Sequence, residues 1–282
     1  MGRAPRKNVD VGVMLFFSSL VAITACTALG AAEGFPRQCP PKEFWITFGA
    51  LFVCGILNFV QLDLMSRAMK TGPNGIVWSL IQTSFIFPFV AGVLFFHARC
   101  TWFNLIGALS IIAALIILGM QKSNASGKGT WKLFAFLSFL STGIAQLLSN
   151  LPSYFPEAAS VSSIWRSAFF AMGLAAGTVG GTLILQRKHL KEAMGANIRN
   201  SSMWIYCFVL QGFEILASIF LLYPGMNLLA DAGAGAIAYP LVVASGIAGF
   251  EFYAFTFLRE KRNVPQMIAF VLTLLGIAAL CF

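Results

Sequence analysis

The sequence predicts an all-α integral membrane protein of about nine transmembrane helices, and three observations carry that expectation. Of its 282 residues, 58% are apolar and 10% charged, against about 25% charged in ordinary soluble domains. Mean hydropathy is +0.81. The apolar residues gather into stretches long enough to cross ~30 Å of hydrocarbon as helices. None shows the alternation or the ~10-residue length of barrel strands.

Taken in order, the stretches run over 9–31, 44–69, 72–96, 102–120, 131–150, 160–186, 202–223, 232–258 and 263–282, here spans A to I. Span A has the basic start, apolar run and small residues of a signal peptide. It also has a counterpart later in the chain, which favours its retention as a helix. The breaks between spans carry Gly, Pro and charge, as in "MKTGPNG", "GMQKSNASGKGT" and "FLREKRNVP". None is long enough for a separate soluble domain.

Basic residues set the expected orientation. Fifteen of the 19 Lys and Arg precede A or lie at the B/C, D/E, F/G and H/I connections; Arg37, Lys42, Arg99 and Arg166 fall on the other face. The count places the N-terminus in the cytoplasm, and it explains the +9 charge without a nucleic-acid partner. Four cysteines, Cys26, Cys54, Cys207 and Cys281, lie in spans. Cys39 and Cys100 fall on outer loops, where a disulfide or two unrelated thiols are both open.

The second half echoes the first. "FWITFGALFVCGIL" from residue 44 aligns with "MWIYCFVLQGFEIL" from residue 203. Spans A–D (9–120) then correspond to F–I (160–282), with span E (131–150) between them. A displacement of five spans reverses direction through the membrane, so the repeats are inverted, as in alternating-access carriers.

This layout resembles the drug/metabolite transporter superfamily, EamA-type branch, across nearly the whole chain. The residues that carry the likeness are "AMKTGPNGIVWSLIQTSFIFPFVAGVLFFHAR", with Pro88, and "LLADAGAGAIAYPLVVASGIAGFEFYAFTFLRE", with Pro240. Each is a small-residue turn into a helix that contains a proline. The family pattern has ten spans and this chain nine; the missing helix would precede span A. The resemblance implies a carrier in the cytoplasmic (inner) membrane, an exporter of a small metabolite such as an amino acid. A multidrug or cationic-compound exporter is the alternative.

Glu214 is the sharpest functional candidate. It lies in "WIYCFVLQGFEILASIFLLY", residues 204 to 223, roughly 15 Å from either end of the span. A carboxylate at that depth costs about 2.5 kcal/mol or more. It reads either as a proton site or counter-charge for an amine, or as a protonated acid bonded to a neighbouring helix. Gln211 shares its helical face. Glu251, Asn58 and Gln61 are weaker cavity candidates, and Trp78, Tyr239 and Tyr253 candidate aromatic walls. Pro88 and Pro240 free backbone carbonyls and suit hinges. Gly173, Gly177 and Gly181 repeat every four residues, a face for close helix packing within the bundle rather than for a dimer. Arg166, beside Trp165, reads as an arginine snorkelling to head groups, or recognising an anion with Glu157 nearby. Gln82, Gln146 and Asn150 read as interhelical hydrogen bonders, and Asp63 as the i,i+4 partner of Arg67.

Other classes fit poorly. The two histidines, His97 and His189, lie at span ends or in loops, so haem pairs, di-iron clusters and a membrane-depth Ser/His/Asp arrangement lack their residues. There is no "DDxxD", no lysine deep in a span and no "GxxxxGK[ST]". The sequence thus suggests no metal, no cofactor and no enzyme. It shows no charged ring or repeated filter of a channel. A monomeric carrier that exchanges protons is the expectation, a non-transporting membrane subunit the rival.

Overall fold

The computed structural model describes residues 11–34, 39–120, 130–185, 195, 197–256 and 263–282. Twelve helices are described: α1 (Val11–Glu33), α2 (Pro41–Thr71), α3 (Asn74–Gln82), α4 (Ile86–Phe95), α5 (Trp102–Gly119), α6 (Thr130–Asn150), α7 (Pro156–Ala159), α8 (Ser163–Leu185), α9 (Ser201–Ala217), α10 (Tyr223–Asp231), α11 (Ala238–Thr256) and α12 (Val264–Leu280). No strand occurs among the described residues. Six helical stretches among them are long and apolar enough to cross a membrane, and two shorter apolar helices, Gly235–Gly249 and Val264–Leu280, follow. The protein is an all-α, multi-pass membrane protein.

Three spans depart from their expected form, each near a proline. A prolyl ring clashes with the carbonyl four residues back and offers it no N–H. Span C divides into α3 and α4 at a 3₁₀ turn, Thr83–Phe85, and Ser84 is the residue four before Pro88. Span H begins only at Ala238, after a 3₁₀ turn at Gly235–Ile237, which contains Ala236, four before Pro240. Span G runs on to Asp231 through a π turn at Ser218–Leu222, and Phe220 stands four before Pro224. The wider π turn absorbs that missing bond without ending the helix.

The chain forms two compact units, one of residues 1–60 and 151–227, the other of 61–150 and 228–282. In the first, α1 packs on α8 and α9. The end of α1 meets the start of α8: Ser162 donates to the Glu33 carboxylate at 2.7 Å, and the Trp165 indole donates to the Gly34 carbonyl at 3.1 Å. The two helices are therefore antiparallel. Val13 and Met14 bury against Met203 and Cys207, so α1 and α9 run the same way.

The second unit is built on α5 against α12, and on α3 against α5 and α6. A Cβ on Gly107 would lie 2.8 Å from the Gly276 carbonyl oxygen. Between helices in lipid, van der Waals contact of this kind replaces the hydrophobic drive available in water. Asn104 closes a capping box with Thr101 at the start of α5 and donates to the Leu280 carbonyl at 3.1 Å, so α5 and α12 are antiparallel. Asn263 and Gln266 form a second capping box at the start of α12.

Candidate functional site

Within the second unit the two 3₁₀ breaks are neighbours: α4 packs on the turn before α11, and α11 on the turn before α4. Pro88 and Pro240, both buried, each stand third in the helix that follows. Helix α6 supplies polar groups to both breaks from one face. Ser84 donates to Gln146 Oε1 at 3.3 Å, and one turn on Asn150 Nδ2 donates to the Gly235 carbonyl at 3.1 Å. Lower on the same face, Ser138 donates to the Gln61 backbone carbonyl at 2.9 Å and Thr142 donates to Gln61 Oε1. Residues 138, 142, 146 and 150 recur every four, so α6 presents a continuous polar edge.

Within the first unit, Glu214 lines a small hollow with Gln211, Ser167, Ser218, Ala22, Phe170, Ala171, Leu174 and Ile215. Its volume is about 10 Å³, room for one water molecule. Gln211 is buried three residues before Glu214 on the same helical face, while Glu214 itself is exposed on the surface of the chain. The hollow ends at the π turn, where the Ser218 N–H reaches the carbonyls of both Glu214 and Ile215. A π turn beside a membrane-depth acid is a frequent mark of function. Chemically the arrangement can hold a carboxyl, a water and two hydroxyls in contact, which suits proton exchange.

Arg166 does not snorkel. It is fully buried near the start of α8, and donates to Ser153 Oγ at 3.2 Å, Asn227 Oδ1 at 3.0 Å and the Ala158 carbonyl at 3.1 Å. Its guanidinium stands 5.8 Å from the centre of the Tyr223 ring. Glu157 is exposed, and Arg166 takes the backbone carbonyl of the next residue rather than that carboxylate. Five fixed donors in one plane let an arginine tie α7, α8 and α10 together where a lysine could not.

The glycine face of α8 meets α2. A Cβ on Gly173 would collide with the Phe52 carbonyl, one on Gly177 would come within 3.1 Å of Ile56, and one on Gly181 would strike the Phe59 ring. Gly55 packs on the same helix at Phe170 and Gly173.

Of the sequence candidates, the hollow brings together only Gln211 and Glu214. Asn58, half-buried on α2, does not line it. Gln61, Trp78, Tyr239 and Tyr253 lie in the second unit: Gln61 is engaged by α6, Trp78 is half-buried, Tyr239 is buried beside Pro240, and Tyr253 is exposed. Glu251 lies in α11, its side chain outside the described residues. Asp63 pairs with Arg67 at 2.8 Å. Cys39 and Cys100 are both free thiols. Ser167, Ser218 and the π turn were not marked in the sequence. Pro224 was the available signal.

Residues 1–120 match the model of the EamA-like transporter family. That family lies within the drug/metabolite transporter superfamily. A solved crystal structure, described only as that of a protein, is similar to this chain with a TM-score of 0.72 and 14% identity, over 99% of this chain and 90% of that one. Identity that low speaks for the fold alone. No curated protein matches the chain.

Proposed function

We propose that this chain, whose first 120 residues match the EamA-like transporter family, is a membrane transporter of the drug/metabolite superfamily and a secondary carrier that exports a small organic metabolite such as an amino acid. Transport proceeds by alternating access between two inverted repeats, A–D and F–I, and is proton-coupled through Glu214. The protein acts as a monomer in the cytoplasmic membrane with its N-terminus inside.

One observation carries the reading: the same device occurs in both halves. A 3₁₀ break is followed by a helix with proline at its third position, at Pro88 and again at Pro240, and in the second unit each break packs on the helix that follows the other. Broken helices at a repeat interface are where carriers of this kind place their sites. Further likenesses support it. Spans A and F pack antiparallel, as do D and I, the pairs that the five-span displacement relates. Both D and I open with a capping box.

The hollow beside Glu214 admits a water molecule but not a metabolite, so in this conformation Glu214 serves as a proton site. The exposed acid on an apolar helix also suits a cationic compound, which keeps the multidrug alternative in play. The test is transport by purified protein in liposomes under an imposed pH gradient, with labelled amino acids and a labelled quaternary amine as probes. Wild type should accumulate an amino acid against its gradient. Glu214→Gln should retain exchange but lose accumulation. Accumulation equal in the two proteins would remove Glu214 from coupling, and transport of the amine alone would replace the metabolite reading with the multidrug one.

A further inference from the structure

The hollow beside Glu214 is closed at one end by a charge. Helices α8 and α9 are antiparallel, since α1 opposes the first and runs with the second, and α10 continues α9 beyond the π turn. Followed toward the start of α8, the lining of the hollow ends at Ser167 on that helix and at Ser218 on its partner. The next layer is Arg166, whose guanidinium stands 5.8 Å from the centre of the Tyr223 ring and reaches Asn227 one turn further on.

That layer is dry: Arg166 is 0% exposed and Tyr223 3%. Over it lies α7. The consecutive carbonyls of Glu157, Ala158 and Ala159 accept from Cys39 at 3.3 Å, Arg166 at 3.1 Å and Asn227 at 3.5 Å. A four-residue helix leaves its carbonyls without partners inside the helix, so side chains from three other segments hold it in place. The far side of α7, at Glu157, is exposed. From the hollow to the surface the order is Ser167 and Ser218, the guanidinium against Tyr223, then α7.

The partners of Arg166 leave its charge standing. They are a hydroxyl, an amide oxygen and a backbone carbonyl, all neutral, and its Nε–H has no acceptor among the described residues. The one ion pair among those residues is Arg67 with Asp63. The titratable groups that act on the guanidinium are the Tyr223 phenol and the Cys39 thiol. Tying α7, α8 and α10 together needs donors but no charge, and burying a cation without a carboxylate is costly. A fixed positive charge does have a use on a narrow polar path, where it bars protons and other cations.

We propose that Arg166 is the electrostatic plug of the Glu214 site, barring protons held there from passing between α8 and α9–α10 to the face that α7 covers. The plug rests on the reading of Glu214 as the proton site, and not on the identity of the cargo. Two unit charges about 8–10 Å apart at an effective dielectric near 20 repel enough to slow passage roughly fifteen- to thirty-fold.

The experiment is proton leak into liposomes that carry the full-length protein and a trapped pH-sensitive dye, driven by a potassium diffusion potential with no solute present. Wild type and Arg166→Lys, which keeps the charge, should be tight. Arg166→Gln, which keeps donors without the charge, should raise the proton flux roughly fifteen- to thirty-fold. The double variant Arg166→Gln/Glu214→Gln should return it to the wild-type level. Lys and Gln both lose the planar fork, so a leak from loosened packing would show in both; melting temperatures are measured beside the flux. Should Arg166→Gln fail to fold, Asn227→Asp sets a carboxylate where the amide oxygen now lies 3.0 Å from the guanidinium. It cancels the charge with the arginine in place and should leak as well. Tight vesicles with the neutralised variants would overturn the plug, as would an equal leak with Arg166→Lys or a leak that survives Glu214→Gln. A tight Arg166→Gln beside Glu214-dependent accumulation would sink the plug and leave the coupling. A Glu214-dependent leak in a protein that accumulates no solute would keep the plug and sink the carrier.

Discussion

Asn150 and Gly235 are 85 residues apart and joined by a 3.1 Å hydrogen bond from the Asn150 amide to the Gly235 carbonyl. Asn150 is fully buried at the end of α6, and Gly235 opens the 3₁₀ turn before α11. The bond ties span E to one break, while Gln146 on the preceding turn ties it to the other. Span E thereby holds both weakened helices from one edge.

Asn150→Leu should therefore loosen the break more than it destabilises the protein. Interhelical hydrogen bonds in membranes average about 0.6 kcal/mol and reach about 1.7, so a stability loss near 1 kcal/mol is expected. Amide exchange at residues 235–239 should rise well beyond that of α5, and transport should fall several-fold. Exchange unchanged at 235–239 would show that Asn150 does not hold the turn.

The close approach of α8 and α2 makes a sharper prediction. Gly173→Leu should be severe, since its side chain would have to displace the Phe52 backbone. Overpacking commonly costs about 1–3 kcal/mol and more where backbone must move. Gly180→Leu, one turn from Gly177 on the same helix, meets nothing within 4 Å and should be nearly neutral. Thermal aggregation monitored by size-exclusion chromatography separates the two. Equal melting temperatures would refute the packing described.

Much of the fold was legible because lipid imposes it: without water every spanning backbone must be helical, so the helical stretches follow from the apolar runs, though not the ends of spans G and H or the break within span C. Pro88 and Pro240 marked the breaks for the same reason. Pro224 was as visible, but whether a proline ends a helix or widens one turn depends on neighbours that a single sequence does not show. Arg166 is the clearest miss. Its place beside Trp165 suggested an interface, whereas Ser153, Ala158 and Asn227, which bury it, are brought there by folding. Glu214 stood out by cost alone, but Ser167 and Ser218 carry no sequence signal as ordinary helix serines.

Arg166 supplies a test of burial against snorkelling. Arg166→Lys keeps the charge and would leave a snorkelling residue almost unaffected. Buried as it is, lysine's compact ammonium does not reproduce the planar fork, and at least one of Ser153, Asn227 and the Ala158 carbonyl loses its donor. A loss of about 2–3 kcal/mol is expected for a charged hydrogen bond removed from a buried acceptor. It would be read as a lowered midpoint in a denaturant titration of the detergent-solubilised protein. A midpoint within error of wild type would place Arg166 at the head groups after all.

Orientation can be read from thiols. Cys100 lies in the connection between α4 and α5 and is exposed, whereas Cys26, Cys39, Cys54 and Cys207 are buried. With the N-terminus inside, Cys100 faces out, so a membrane-impermeant maleimide should label it in intact cells; Cys281→Ser removes the other exposed thiol from the readout. Partial desolvation pushes the Cys100 thiol above its ordinary value, and the thiolate is the form that reacts. Less thiolate is present at neutral pH than for a free cysteine. The labelling rate should therefore rise about tenfold per pH unit and keep rising where a free thiol has begun to level off. Labelling only after the cells are opened would reverse the orientation.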